Sequence, residues 1–301
     1  MRISTNTIYQ TAISKISTLQ IEQSKLQQQI ASGKRIISPS DDPIAASRAL
    51  EISHAQSVNT QYEDNRKIAN THLTGLDISL GSITELLTTS RTTLVANAGT
   101  LTANQKEALS INLKASLTTL LGYANTKDAM GNYMYAGLHN ETKPFTATPS
   151  GATYNGDSNL QLLQVDGQRK MAVNAPGNNV FQAGGNDVFS AYSDLAIILD
   201  NPASTDTDVT NAVAAALSSM DAAIKTVANA RSAVGTKLNE IDALNDSGMS
   251  RNLQYAQALS DLQDLDYAQA LSDLSQKKII LEAAQKSFVQ TTGLSLFDYI
   301  R

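Results

Sequence analysis

Two carboxylates stand side by side, Asp41 and Asp42, between Ser40 and Pro43 in the run IASGKRIISPSDDPIAASRALEI at 30–52. Adjacent acids can ligate a metal or share acid and base work, and they can also simply cap a helix. Capping fits the neighbours better. Ser40 or Asp41 can accept from the free N–H groups of a helix beginning near Pro43, a residue suited to the first helical turn. Negative charge there also suits the helix dipole. His54, His72 and His139 are the only histidines, and the first two lie 18 residues apart on one expected helix. That spacing separates them by roughly 27 Å, too far to share a metal. With no cysteine, disulfides, thiol catalysis and thiolate metal sites are excluded. GNYMYAG at 131–137 lacks the spacing of a phosphate loop, and no nucleophile elbow is present. No catalytic residue, cofactor or metal is expected.

Composition points the same way. The chain has 301 residues, 42% hydrophobic but only 5% aromatic with no Trp, so its interior must be mostly Ala, Leu, Ile and Val. No run approaches the roughly 18 apolar residues of a membrane span. The start, MRISTNTIYQTAISK, has no apolar signal-peptide core, so a cytosolic protein, or export without a cleaved signal, is expected. Residues 1–36 carry Arg2, Lys15, Lys25, Lys34 and Arg35 against Glu22, a net of +4, within a chain of net charge −5. Residues 252–301 carry four basic and six acidic side chains, a net of −2. Opposite signs suit pairing of the two ends. A dense basic face with interleaved aromatics, as nucleic-acid binding would require, is absent.

The elements that must hold the acidic pair read as helices. Tyr9, Ala12, Ile16, Leu19, Gln23, Leu26 and Ile30 advance in steps of three and four, the spacing of a coiled-coil seam. A second helix is predicted from 43 to about 97, with Ala69, Leu73, Leu76, Leu80, Ile83, Leu87 and Leu94 inward. A third covers about 103–128. Residues 131–205 then collect Gly, Pro, Asn and Asp, and LQLLQVDGQRKMAV reads as a hairpin with a type I′ turn at Asp166-Gly167. Helical periodicity returns over 207–245, pauses at Asp246-Ser247-Gly248, and resumes over about 250–290. YAQALSDL occurs at 255–262 and again at 267–274, and the offset of 12 residues would turn the copies by roughly 120° on one helix. Gly235 lies mid-helix, where it is either a tolerated cost or the mark of a closely approaching neighbour.

The expected architecture is mainly α with a small β-rich insertion: long helices and paired terminal coiled-coil helices forming a rod. Residues 1–42 and 250–301 are the terminal assembly helices, 43–130 and 206–249 the helical rod, and 131–205 the β-rich outer domain. The assembly seam is expected at Tyr9, Ile16, Leu19, Leu26 and Ile30, with Leu271, Leu274, Leu281, Phe288, Leu294, Leu296 and Phe297 from the other end. The hinge and cap motif comprises Ser32, Gly33, Arg35, Ile36, Ser40, Asp41, Asp42 and Pro43. One apolar stripe on a thirty-residue tail buries too little to offset its ordering entropy. Such tails should become rigid only when neighbouring subunits supply more surface.

MRISTNTIY, QQQIASGKRIISPSDDPIAASRALEI, ANTKDAMGNYMYAG, PFTATPSGATYNGD, ANARSAVGTKLNEID and LEAAQKSFVQTTGLSLFDYIR occur in this order along the chain. With them the chain resembles the family of flagellar hook–filament junction proteins, the third hook-associated protein or FlgL, which is related to flagellin. Flagellins typically continue the Asp pair into a DDAAG-like run, whereas Pro43 follows here and the end reads SLFDYIR. Both features favour the junction family. The duplicated YAQALSDL and the short middle region depart from its pattern.

The resemblance implies a structural protein of the bacterial flagellum and not an enzyme. It implies export in an unfolded state through the flagellar type III apparatus, after binding of a dedicated chaperone near the C-terminus. It further implies an extracellular ring of subunits at the hook–filament junction. Its neighbours there would be the first hook-associated protein and flagellin, with no nucleic acid and no membrane insertion. A small flagellin is the alternative within the class, and a secreted helical enzyme the alternative outside it.

Overall fold

Helix starts and stops follow local chemistry. The computed structural model describes residues 5–299, with side chains except at residues 5, 6, 8 and 292–299. Helix α1 (Thr5–Ser32) ends where Gly33 takes φ 71° and its N–H donates to the Gln29 carbonyl at 2.9 Å, a left-handed cap that glycine adopts without penalty. Helix α2 (Pro43–Ala96) opens on proline, whose missing N–H costs nothing there. Helix α3 (Ala103–Ala124) starts with a reciprocal Thr102–Gln105 capping box. It stops at Asn125, four residues short of the expected end, because the Asn125 amide bonds both ways with Phe145 and holds the incoming strand.

The next segment forms two antiparallel ribbons and two helices. Strands β1 (Phe145–Thr148) and β2 (Gly151–Tyr154) pair with each other, as do β3 (Leu162–Asp166) and β4 (Arg169–Ala172). The second hairpin lies where the pattern places it, but its turn is not type I′. That turn needs positive φ at both central residues, and neither Gly167 nor Gln168 has it. A bulge between Gln164 and Asp166 adjusts the register instead. The insertion also contains α4 (Gly177–Phe181) and the thirteen-residue α5 (Val188–Asp200), capped by Asp187. Tyr135 meets Phe181, Phe181 meets Phe145 and Phe145 meets Phe189 at centroid distances of 5.2, 5.3 and 4.9 Å, edge to face or tilted, gathering three of the five phenylalanines into one core.

Helix α6 runs unbroken from Asp206 to Gln263, straight through the expected pause at 246–248, and α7 covers Tyr267–Tyr299. Gly248 continues the helix, and the Arg66 guanidinium fills the place a side chain would take there, with Nη2 at 2.5 Å from an added Cβ. The close approach considered for Gly235 is absent, since nothing lies within 4 Å of a Cβ there. The real break is at Asp264-Leu265-Asp266, so the two YAQALSDL copies sit on different helices.

Contacts divide the chain into two units: Met1–Val58 with Ser250–Arg301, and Asn59–Met249. The second unit carries the main core. All seven expected residues of α2 are buried there, together with Leu109, Leu113 and Leu120 of α3 and Val213, Met220, Val227, Val234 and Ile241 of α6. The segment 131–205 belongs to this same unit.

Candidate assembly surface

Within the first unit, the acidic pair separates into two jobs. Asp42 is the cap of α2, its Oδ1 accepting from the Ala45 N–H at 3.0 Å. This role was expected of Ser40 or Asp41, but Pro43 occupies the first helical position and leaves the residue just before it to cap. Asp41 folds the loop: Oδ2 accepts from the amides of Ile37 and Ser38 at 3.2 and 3.1 Å, and Oδ1 from Lys25 Nζ at 2.7 Å. Ser40 pairs its hydroxyl with Ser38 at 2.7 Å. The Lys25 hydrogen bond, with the Ser38 amide behind it, holds the Asp41 carboxyl below its ordinary value. The Ala45 amide, followed by Arg35, does so for Asp42.

This loop also grips the break between α6 and α7. Arg35 N–H donates to the Gln263 carbonyl at 2.7 Å, and Leu265 N–H to the Gly33 carbonyl at 3.0 Å. Lys34 and Asp264 form the antiparallel bridge between them. The Arg35 guanidinium donates to the Leu262 carbonyl at 2.9 Å and lies 3.4 Å from Asp42. Tyr267 packs its hydroxyl against Gly33, and Ile36 is half-buried beside this loop.

Beyond the joint, α1 and α7 pair. Ala12, Ile16, Leu19, Gln23, Leu26 and Ile30 are half-buried, and the steps of three and four reappear in α7 as Ala270, Leu274, Lys277, Leu281, Ala284 and Phe288. Tyr9 meets Phe288 edge to face at 4.9 Å, and Lys277 pairs with Glu22. Leu271 lies off this intramolecular seam, 54% exposed, because Ala270 takes the inward position one residue earlier. Leu294, Leu296 and Phe297 lie outside the residues whose side chains are described.

The pair is thinly covered. No described residue of α1 is fully buried, and in α7 only Ala270 and Leu281 are. Meanwhile Ile13, Ile21, Ile279 and Val289 stand half or more exposed, apolar area that the pairing of α1 with α7 leaves in water. The heptad pattern could not flag these four, because they lie off its stripe. The paired isoleucines 279–280 were the available signal.

Among the described residues the remaining titratable groups show no convergent chemistry. His54 is exposed, His72 Nδ1 lies 3.8 Å from Asp128, and His139 Nδ1 lies 3.7 Å from Asp157. Among the described residues no cluster of three acidic, histidine or cysteine side chains could hold a metal, and no helix is long and apolar enough to cross a membrane.

Comparison with known proteins bears on this arrangement. The bacterial flagellin N-terminal helical region matches residues 3–140, and the bacterial flagellin C-terminal helical region residues 217–300. Flagellar hook-associated protein 3 of Escherichia coli K12 is 31% identical over 316 residues, covering 99% of both chains. Its namesake from Salmonella typhimurium LT2 is 31% identical over 319 residues and 100% of both. The flagellar junction protein FlgL of Legionella pneumophila, at 17% identity, superposes with a TM-score of 0.61 over 72% of this chain and 100% of its own, a likeness of fold.

Proposed function

We propose that this chain, which belongs to the flagellar hook-associated protein 3 family, joins the hook to the flagellin filament as a self-assembling adaptor. Membership itself makes it a structural, hook-associated component of the bacterial flagellum. The finer role rests on one observation: a paired α1–α7 element that buries almost nothing completely and leaves isoleucines and a valine open on its flanks. A single chain gains little by ordering such a pair. Several copies arranged side by side gain much more, because each covers its neighbours' exposed flanks.

In this reading α1 and α7, with residues 1–42 and 250–301, are the assembly helices. Tyr9, Ile16, Leu19, Leu26, Ile30, Leu271, Leu274, Leu281 and Phe288 contribute to packing, and Leu271 reaches toward a neighbour and not toward α1. Residues 43–130 with 206–249 are the helical rod domain, and 131–205 is the β-rich outer domain. The first hook-associated protein lies on one side and flagellin on the other. Export proceeds through the flagellar type III apparatus after a chaperone holds the C-terminal region, which places the protein outside the cell. No catalysis is assigned to it.

The test is electron microscopy of a strain lacking the gene. Intact hooks without filaments, with flagellin shed into the medium, support the adaptor. Filaments of normal length on those hooks defeat it. A small flagellin is the competing reading, favoured by the two flagellin regions that match. Seeded polymerisation separates the two: the adaptor stops at short assemblies, and a flagellin grows long filaments.

A further inference from the structure

The break between α6 and α7 contains no helix-breaking residue of its own. Gln263-Asp264-Leu265-Asp266-Tyr267 contains neither glycine nor proline, and the YAQALSDL runs on either side are good helix formers. Breaking a helix here orphans backbone groups that an unbroken helix would pair internally. Their replacement partners come from the loop after α1. The Gln263 carbonyl receives the Arg35 amide, the Leu262 carbonyl the Arg35 guanidinium, and the Leu265 amide finds the Gly33 carbonyl. Only the start of α7 is capped from within, by Asp266 Oδ1 accepting from Ala268 and Gln269 at 3.0 and 3.1 Å.

We infer that residues 33–35 impose this break: when they are undocked, α6 and α7 fuse into one continuous helix, so the fold carries a two-state joint linking its two ends. In the docked state the chain runs through two breaks held together by a short antiparallel ladder. In the undocked state Leu265 N–H bonds four residues back, the Asp266 cap is released, and the C-terminal helix continues through 264–266. The direction of α7 is thus set by a segment some 230 residues earlier in the chain, and the N-terminal joint acts as the latch. This device does not depend on where in the flagellum the protein sits.

The test uses the full-length chain carrying Gly33→Val and Arg35→Ala. Valine is strained at φ 71° and would bring its Cβ within 2.9 Å of the Tyr267 hydroxyl, and alanine removes both guanidinium bonds. Hydrogen exchange is followed by mass spectrometry over peptides covering 262–270, with peptides covering 73–94 reporting that the core remains folded. Exchange at 264–268 is expected to slow on the order of tenfold, as a continuous helix replaces the break. Equal or faster exchange there, with the core still protected, overturns the inference. A second variant keeps the result decisive if the first unfolds: Lys34→Cys with Asp264→Cys in a chain otherwise free of cysteine. These residues form a close cross-strand pair with Cα atoms about 4.5 Å apart, within disulfide range. Oxidation should hold exchange at 264–268 fast, and reduction under mild denaturant should slow it. An identical rate in both redox states also overturns the inference.

Discussion

One substitution made at two places in the same helix should act with opposite signs. Gly235 and Gly248 both lie within α6. At an unobstructed helical position, Gly→Ala removes the backbone-entropy penalty and gains up to about 1 kcal/mol. Gly235 meets that condition, with nothing within 4 Å of an added Cβ. At Gly248 the new methyl would lie 2.5 Å from Arg66 Nη2. Arg66 cannot swing aside freely, being only 1% exposed and donating to Asn245 Oδ1 at 2.6 Å and to the Val165 carbonyl at 2.9 Å. Displacing it weakens buried hydrogen bonds from a charged donor, each worth about 1.5–3 kcal/mol. Set against the gain of about 1 kcal/mol, one lost bond leaves Gly248→Ala destabilising by about 0.5–2 kcal/mol. In thermal unfolding followed by circular dichroism, Gly235→Ala should raise Tm by up to about 2–4 °C and Gly248→Ala should lower it by about 1–8 °C. Combining Gly248→Ala with Arg66→Met should cost clearly less than the sum of the two single changes, because the clash is gone once the guanidinium is removed. Shifts of the same sign at both glycines, or strict additivity with Arg66→Met, would refute the reasoning.

Three further outcomes follow from particular contacts. Leu19→Asp or Leu281→Asp places a charge in the α1–α7 seam and should allow export yet shed flagellin into the medium; normal motility in both strains contradicts the packing. The Asp41 and Asp42 carboxyls are held below the ordinary value of 3.8, so what they contribute is complete above that value and disappears as pH falls through their lowered pKa. Exchange at 33–42 should therefore stay constant from neutral pH down to about 4 after correction for intrinsic rates, and rise below it; loosening that begins near pH 6 points to other groups. Burial raises the Tyr154 and Tyr192 hydroxyls from 10.0 to about 12, so folding is fully supported below 10 and loses stability progressively as pH climbs from 10 towards 12. Phenolate absorbance should show tyrosines that titrate together with unfolding in that window, and complete titration at 10 in the folded protein argues against their burial.

What could be read from the residues was whatever depends on neighbours in sequence. The steps of three and four through Leu73, Leu80 and Leu87, or through Ile16, Leu19 and Leu26, record burial on one helix face, and those faces are the inward ones. The hairpin around Asp166-Gly167 was legible for the same reason, although the bulge before it replaced the expected turn. Features governed by distant partners were not legible. The 264–266 break depends on Gly33 and Arg35, and the requirement for glycine at 248 on Arg66. Helix α5 was hidden because VFSAYSDLAIILD closes a stretch rich in Gly, Pro, Asn and Asp that reads as β-rich throughout, although eight of its thirteen residues are buried on a helical face. Asp187, capping it from just before Val188, was the signal available.

The most direct measurement is hydrogen exchange on the same chain as dilute monomer and as assembled rings. In the monomer, amides of 9–26 and 274–290 should exchange orders of magnitude faster than those of 73–94, because their pairing buries almost no residue completely. In the assembly they should become as protected as that core. Protection at 9–26 and 274–290 already equal to the core in the dilute monomer, and unchanged on assembly, would contradict a pair of helices that is completed by neighbouring copies.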